Sequence, residues 1–231
     1  MEAKTHYRKN CRIWNDKIRE IIRYFSLDLP ASKTCALVGL NSKTIDDWYG
    51  YIRKVIYYYN SLESSELFSW TIEADETYCW PKRVRWKRGR WAGMKTIVFW
   101  LLKRDGKVFA EIVPDCKSKT LLPIIRGKIE PWSEINTDGW WAYDGLVDMW
   151  YEKHYRVHHG ANEFARGKQH VNGIESFWSF LKRRLTLFNG VKKSYFHLYL
   201  QETVFRYNVR VQKKDLYKET LKLLRNFTKK S

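Results

Sequence analysis

Apolar positions recur along this chain with two different periods, and the switches between them divide it into three stretches. Between about Trp14 and Asn60 the residues Ile18, Ile21, Ile22 and Phe25 stand three and four apart, as one face of a helix requires. Pro30-Ala31-Ser32 opens a second, short helix that runs through Val38. Gly39-Leu40-Asn41 reads as a tight turn, and Asn41 or Ser42 can cap a third helix running toward Tyr59. Helix, short helix, glycine turn and helix is the outline of a helix-turn-helix unit. In that reading the helix that begins Ser42-Lys43-Thr44 offers its first residues, Lys43 and Thr44, to the major groove of DNA. A plain three-helix bundle has the same outline.

From about Ser69 the period shortens to two. Thr71–Tyr78, Thr96–Leu102 and Lys107–Val113 predict strands, and Asp105-Gly106 between the last two is a hairpin signal of the type I′ kind. Ser118–Ile129 predicts a helix with Pro123 inside it, Glu134–Thr137 a fourth strand ending in Asp138-Gly139, and Tyr151–His158 a fifth strand. From His170 onward the pattern is helical again, with Ile174, Phe177, Trp178, Leu181 and Leu185 as one apolar stripe. A helix over Tyr195–Asn208 follows, and the Lys- and Arg-rich tail from Val209 to Ser231 is expected as a surface helix. Hairpin strands, helix, strand, strand and long helix predict an α/β layer with a mixed sheet, the order of a ribonuclease-H-like fold. The expected division is a helix-turn-helix region over residues 1–62, a catalytic core over 63–210 and a basic tail over 211–231.

Composition narrows the partners. The chain has 231 residues, 44% hydrophobic and 16% aromatic, enough for one substantial packed domain and a small accessory module. Its formal net charge of +18 points to a polyanion. Nucleic acid is favoured over an acidic membrane surface, because arrayed phosphates reward many separated cations through counterion release. No basic helix stands beside a lipid anchor, and even the apolar run Thr96–Leu102 is too short to span a bilayer. Cys11, Cys35, Cys79 and Cys116 are scattered, without a Cys-x-x-Cys pair or a signal peptide, so free thiols in a reducing cytoplasm are expected.

In so basic a chain the informative residues are the acids. Asp75 falls within the first strand, Asp138 at the end of the fourth, and Glu175 on the helix after His170. Phosphodiester chemistry by two metal ions needs converging carboxylates, because hard cations prefer oxygen ligands. Two strands and a helix packed on them can bring three together, although a lone Asp on a strand is more commonly a turn or edge residue and a lone Glu on a helix a solvated charge. Strand alternation puts Glu76 on the opposite face from Asp75 and leaves Glu73 beside it. The run Lys82, Arg83, Arg85, Trp86, Lys87, Arg88 and Arg90, with Trp80 and Trp91, follows the first strand directly. Cations alternating with tryptophan suit phosphate contact and stacking on unpaired bases. His154, His158, His159 and His170 match no zinc-ligand spacing, so no zinc is expected.

Four segments carry a resemblance to a known family. Ala74-Asp75-Glu76-Thr77-Tyr78, the stretch Asn136 to Tyr143, the stretch His170 to Lys182, and Tyr199 to Asn208 resemble the signature blocks of bacterial insertion-sequence transposases. The branch is the one related to the eukaryotic Merlin elements, with an ISXO2-like transposase domain. The resemblance covers roughly Ser69 to Asn208. It implies a ribonuclease-H-like, retroviral-integrase-like core with a DDE triad and two magnesium or manganese ions. Carried over, Asp75 and Asp138 are the two aspartates and Glu175 the third carboxylate. Some relatives use an asparagine at the position of Asn172 as the third ligand; Asn172 and Glu175 stand three apart on one helix face, and both stay open. Lys182 lies two helical turns beyond Glu175 and, with Arg183, is expected at the DNA phosphates. Many relatives carry a cysteine-rich zinc-binding segment at the N-terminus, which Cys11 and Cys35 cannot supply.

The expected activity is therefore binding of terminal inverted repeats in double-stranded DNA, 3′-end cleavage and strand transfer. Pairing of two ends implies a homo-oligomer on DNA, and the expected location is the bacterial cytoplasm, on the nucleoid. A nuclease on the same core that cuts without joining is one rival. A chemically silent DNA-binding regulator descended from a transposase is the other.

Overall fold

The structure, a computed structural model, describes residues 7–9, 11, 13–63, 67–79, 96–104, 106–138, 153–157, 172–188 and 191–230; for 138, 153–157, 172–175 and 230 it describes the backbone alone. The N-terminal pattern folds as its period predicts. Helix α1 (Asn15–Ser26) buries Ile18, Ile21, Ile22 and Phe25. Helix α2 (Ala31–Val38) stops at Gly39, whose φ of 71° is a left-handed conformation that glycine adopts without a Cβ clash. Helix α3 (Ser42–Glu63) is capped by Asn41, whose Oδ1 accepts the Lys43 N–H at 2.8 Å. Thr34 and Tyr49 share a buried hydroxyl–hydroxyl hydrogen bond of 2.8 Å that pins α2 to α3.

Five strands form one sheet: β1 (Thr71–Cys79), β2 (Thr96–Lys103), β3 (Val108–Val113), β4 (Glu134–Asp138) and β5 (Lys153–Val157). Their order is β3-β2-β1-β4-β5. The first three are antiparallel neighbours, whereas β4 runs parallel to β1 and β5 parallel to β4. Helix α4 (Ser118–Lys128) provides the crossover that a parallel return demands. This mixed α/β sheet has the order and strand directions of the ribonuclease-H-like fold, as expected.

Each face of the sheet has its own core. Ile72, Ala74, Phe99, Leu101 and Ile135 pack against Leu121 and Ile125 of α4. On the other face Val98, Trp100, Leu102, Val108 and Ala110 lie beneath Phe177, Trp178 and Leu181 of α5 (Asn172–Leu187) and Phe196, Leu200 and Val204 of α6 (Phe196–Val211). The sequence stripe on α5 is this contact. Phe177 sits 4.5 Å from Trp100 between ring centroids, and Trp178 4.6 Å from it, edge to face.

Two expectations need correction. The β2–β3 turn is not a type I′ turn centred on Asp105-Gly106. The Gly106 N–H donates to the Lys103 carbonyl (2.8 Å) and the Lys103 N–H to the Lys107 carbonyl (3.1 Å), so the turn is one residue longer. A Cβ at Gly106 would meet the Lys103 side chain at 3.0–3.2 Å, so close approach is what the glycine provides. The basic tail is also more than a surface helix. Helix α7 (Leu216–Lys230) buries Leu221 and Leu224 in the same cluster as α1 and α3, together with Phe205 and Val209 of α6. Its Lys-rich face masked an apolar stripe that only docking reveals.

Candidate active site

Asp75 lies on β1, the central strand of the sheet. Ile72 and Ala74 point into the core beneath α4, so alternation turns Glu73 and Asp75 to the face covered by α5. Trp178 of α5 reaches across that gap and donates its indole N–H to Asp75 Oδ2 at 3.1 Å. The backbone N–H of Glu76 donates to Oδ1 at 2.8 Å. The carboxylate is thus held by an N–H on each oxygen.

The register supplies the second aspartate. Ala74 of β1 pairs with Thr137 of β4 in a parallel ladder, and the next residue along each strand is Asp75 and Asp138. Neighbouring strands lie about 4.8 Å apart. Asp138 is the last residue of β4, opposite Val157 of β5. Glu175 stands on α5 one turn before Trp178, the residue hydrogen-bonded to Asp75, and Asn172 is the first residue of that helix. The backbone therefore gathers the three expected elements around Asp75, while the side chains of Asp138, Asn172 and Glu175 lie outside the described residues.

The flanking acids separate as alternation requires. Glu73 is buried on the α5 face and forms an ion pair of 3.5 Å with Arg104 Nη2. Glu76, one residue past Asp75, takes the opposite face. Lys182 and Arg183 are exposed on α5. Burial pushes the Cys79 thiol up to about 12, opposed by the charge of Lys182. Lys43 is exposed in the first turn of α3 and Thr44 half-buried, but Asp46 and Asp47 are exposed there too, with Asp47 ion-paired to Arg8. Arg83, Arg85, Trp86, Lys87 and Arg88, like His158, His159 and His170, lie outside the described residues; His154 is placed on β5 by its backbone alone.

A buried ion network behind the site was not foreseen. Glu202 of α6 is fully buried and accepts from Arg53 Nε of α3 (2.7 Å), Arg184 Nη2 of α5 (2.8 Å) and Arg206 Nε of its own helix (2.8 Å). Asp28, just past α1, accepts from Arg184 through two nitrogens at 2.7 and 2.8 Å. Arg53 also stacks over Tyr199, 4.0 Å from its centroid. Burial would raise the Glu202 pKa, but the charges of Arg184, Arg53 and Arg206 outweigh it and hold the carboxyl well below the usual range. The network joins the helix carrying Glu175 to the N-terminal helices. In the sequence, Glu202 and Arg206 stand four apart on one helix, which looks like an ordinary surface pair.

Comparison with known proteins agrees with the sequence blocks. An "Uncharacterized transposase-like protein" of Haemophilus influenzae is 43% identical over 102 residues, 44% of this chain and 81% of that protein. Among solved structures, the Mos1 strand transfer complex aligns over 95% of this chain and 81% of its own, at 10% identity and a TM-score of 0.31. The Mos1 paired-end complex with the left transposon end aligns over 95% and 82%, at the same identity and TM-score. Those alignments are too loose to assign any residue. Residues 68–208 match the family model of the ISXO2-like transposase domain, and the chain belongs to that family.

Proposed function

We propose that this transposase works by DDE chemistry, binding the terminal inverted repeats of its element, cleaving the 3′ ends and joining them to target DNA. The observation that carries the reading is the register: Asp75 and Asp138 each follow directly on the paired residues Ala74 and Thr137 of parallel neighbours, and the helix that bears Glu175 packs on the strand of Asp75. Three carboxylates, with the Asn172 amide in reserve, are an all-oxygen donor set of the kind that hard divalent cations require. Magnesium or manganese fits it. Asp75, Asp138 and Glu175 would hold the ions; Glu175 is preferred to Asn172 as the third ligand because an anion binds a hard cation better than an amide does. When bound, two such ions supply an activated hydroxyl and neutralise charge on the leaving oxygen.

The chain's own contribution is positioning and electrostatics. Asp75 is kept in one orientation by its two N–H donors. Lys182 and Arg183, on the exposed side of α5, grip phosphates of the transposon end, and the basic and tryptophan-rich run Arg83, Arg85, Trp86, Lys87 and Arg88 holds DNA beside the strand that delivers Asp75. The helix-turn-helix region over residues 1–62 reads the repeat through Lys43 and Thr44, residues 63–210 carry the chemistry, and residues 211–231 add basic charge. Two ends must be brought together, so the active species is at least a dimer on DNA, acting in the cytoplasm at the nucleoid. Among the described residues no helix is long and apolar enough to cross a membrane.

The test is cleavage and joining of the element's own end DNA in magnesium or manganese, compared across Asp75→Ala, Asp138→Ala, Asn172→Ala and Glu175→Ala. Loss of both products in the three carboxylate variants, with end binding retained in a mobility-shift assay, is the expected outcome. Full cleavage by Asp138→Asn would remove the site assignment and revive a DNA-binding regulator. Cleavage of ends with no joined product from pre-nicked DNA would leave a nuclease.

A further inference from the structure

One polar contact at the site comes from a residue that the proposed chemistry does not use. Trp178 is 7% exposed and wedged edge-on against Trp100, yet its indole N–H is directed at Asp75 Oδ2, 3.1 Å away and 103 positions distant in sequence. An indole has a single donor and no acceptor, so this contact gives the N–H its partner. The other oxygen of the carboxylate takes the Glu76 backbone N–H at 2.8 Å. One N–H on each oxygen fixes the plane of the carboxylate. The same bond ties α5 to β1 one turn after Glu175, so it also sets the depth of the helix relative to the strand.

We propose that Trp178 is a positioning residue for divalent-metal binding, its indole N–H orienting the Asp75 carboxylate and registering the Glu175-bearing turn of α5 against β1. The proposal rests on the reading of Asp75 as a metal ligand. A phenylalanine or leucine would fill much of the same core space beneath α5, so packing alone does not call for an N–H at this position. Partners that orient metal ligands in this way set affinity by about 10- to 100-fold.

The experiment uses the full chain and manganese alone as the probe, with free Mn2+ followed by electron paramagnetic resonance, for wild type, Trp178→Phe and Asp75→Asn. A second variant carries benzothienylalanine at position 178, which keeps the bicyclic ring and replaces only the N–H. Both position-178 variants should weaken Mn2+ binding by about tenfold or more. The benzothienyl variant should melt within a degree or two of wild type in the absence of metal, and the Mn2+ concentration for half-maximal end cleavage should rise in parallel. Wild-type Mn2+ affinity in the benzothienyl variant, with Asp75→Asn defective, overturns the role of Trp178 while the metal site stands. Wild-type affinity in Asp75→Asn overturns the metal reading and this inference with it.

Discussion

Glu202→Gln removes one negative charge from a site where Arg53, Arg184 and Arg206 all donate to it at 2.7–2.8 Å, leaving Asp28 to balance three buried guanidinium groups. Breaking a buried ion pair from one side costs about 3–5 kcal/mol, because the remaining charge stays desolvated. Three partners at one carboxylate put the expectation at the upper end of that range, tempered by the oxygen that the amide retains. Against a total stability of about 5–15 kcal/mol this is a large fraction. With a urea slope of about 1–3 kcal/mol/M, the unfolding midpoint should fall by on the order of 2 M. The pH dependence gives an independent check. The folded Glu202 pKa is depressed, so its contribution is complete above the ordinary carboxylate value of 4.5 and is lost as pH falls toward the folded value. Wild-type stability should therefore drop below about pH 5 more steeply than that of Glu202→Gln. A midpoint shift under about 0.5 M in urea, or equal acid slopes for the two proteins, would refute the account of the network as a principal support of the fold.

Two further outcomes follow from other contacts. Asn208 clasps the outer edge of β3, accepting the Val108 N–H at 2.7 Å and donating to the Val108 carbonyl at 3.0 Å; Asn208→Leu strands both backbone groups and should cost about 1–3 kcal/mol in urea unfolding, with faster amide exchange at Val108. Unchanged exchange there would remove the clasp from the explanation of this residue. Cys79, buried and with its thiol pushed up to about 12, should resist thiol reagents at pH 8 until the protein unfolds, whereas the half-buried Cys35 reacts in the native state. Mass spectrometry of the labelled peptides separates the two, and equal native-state rates would contradict the burial of β1's last residue.

The site was legible in the sequence to the extent that its residues sit in locally patterned elements. Asp75 lies in a run with period two, Asp138 at a strand end before glycine, and Glu175 on the helix whose stripe contains Phe177, Trp178 and Leu181. The partner of each was not legible. That Trp178 donates to Asp75 depends on a contact across 103 positions, and that Glu202 gathers arginines from two other helices depends on contacts across 18 and 149. Periodicity states which face of an element is apolar and says nothing about what covers it.

The chain's own order of residues therefore determined the elements, their approximate ends, the α/β class with its mixed sheet and the identities of the acids. The stripe Ile18, Ile21, Ile22 and Phe25 and the stop at Gly39 needed only short-range geometry. Tertiary structure alone decided that α7 docks on α1 and α3, that Asn208 and Gln201 close the β3 edge, and that the charges on Glu202 and Arg206 face inward. The reason is physical: a charge or a hydroxyl is exposed by default, and only the meeting of distant elements can provide the partners that make its burial stable.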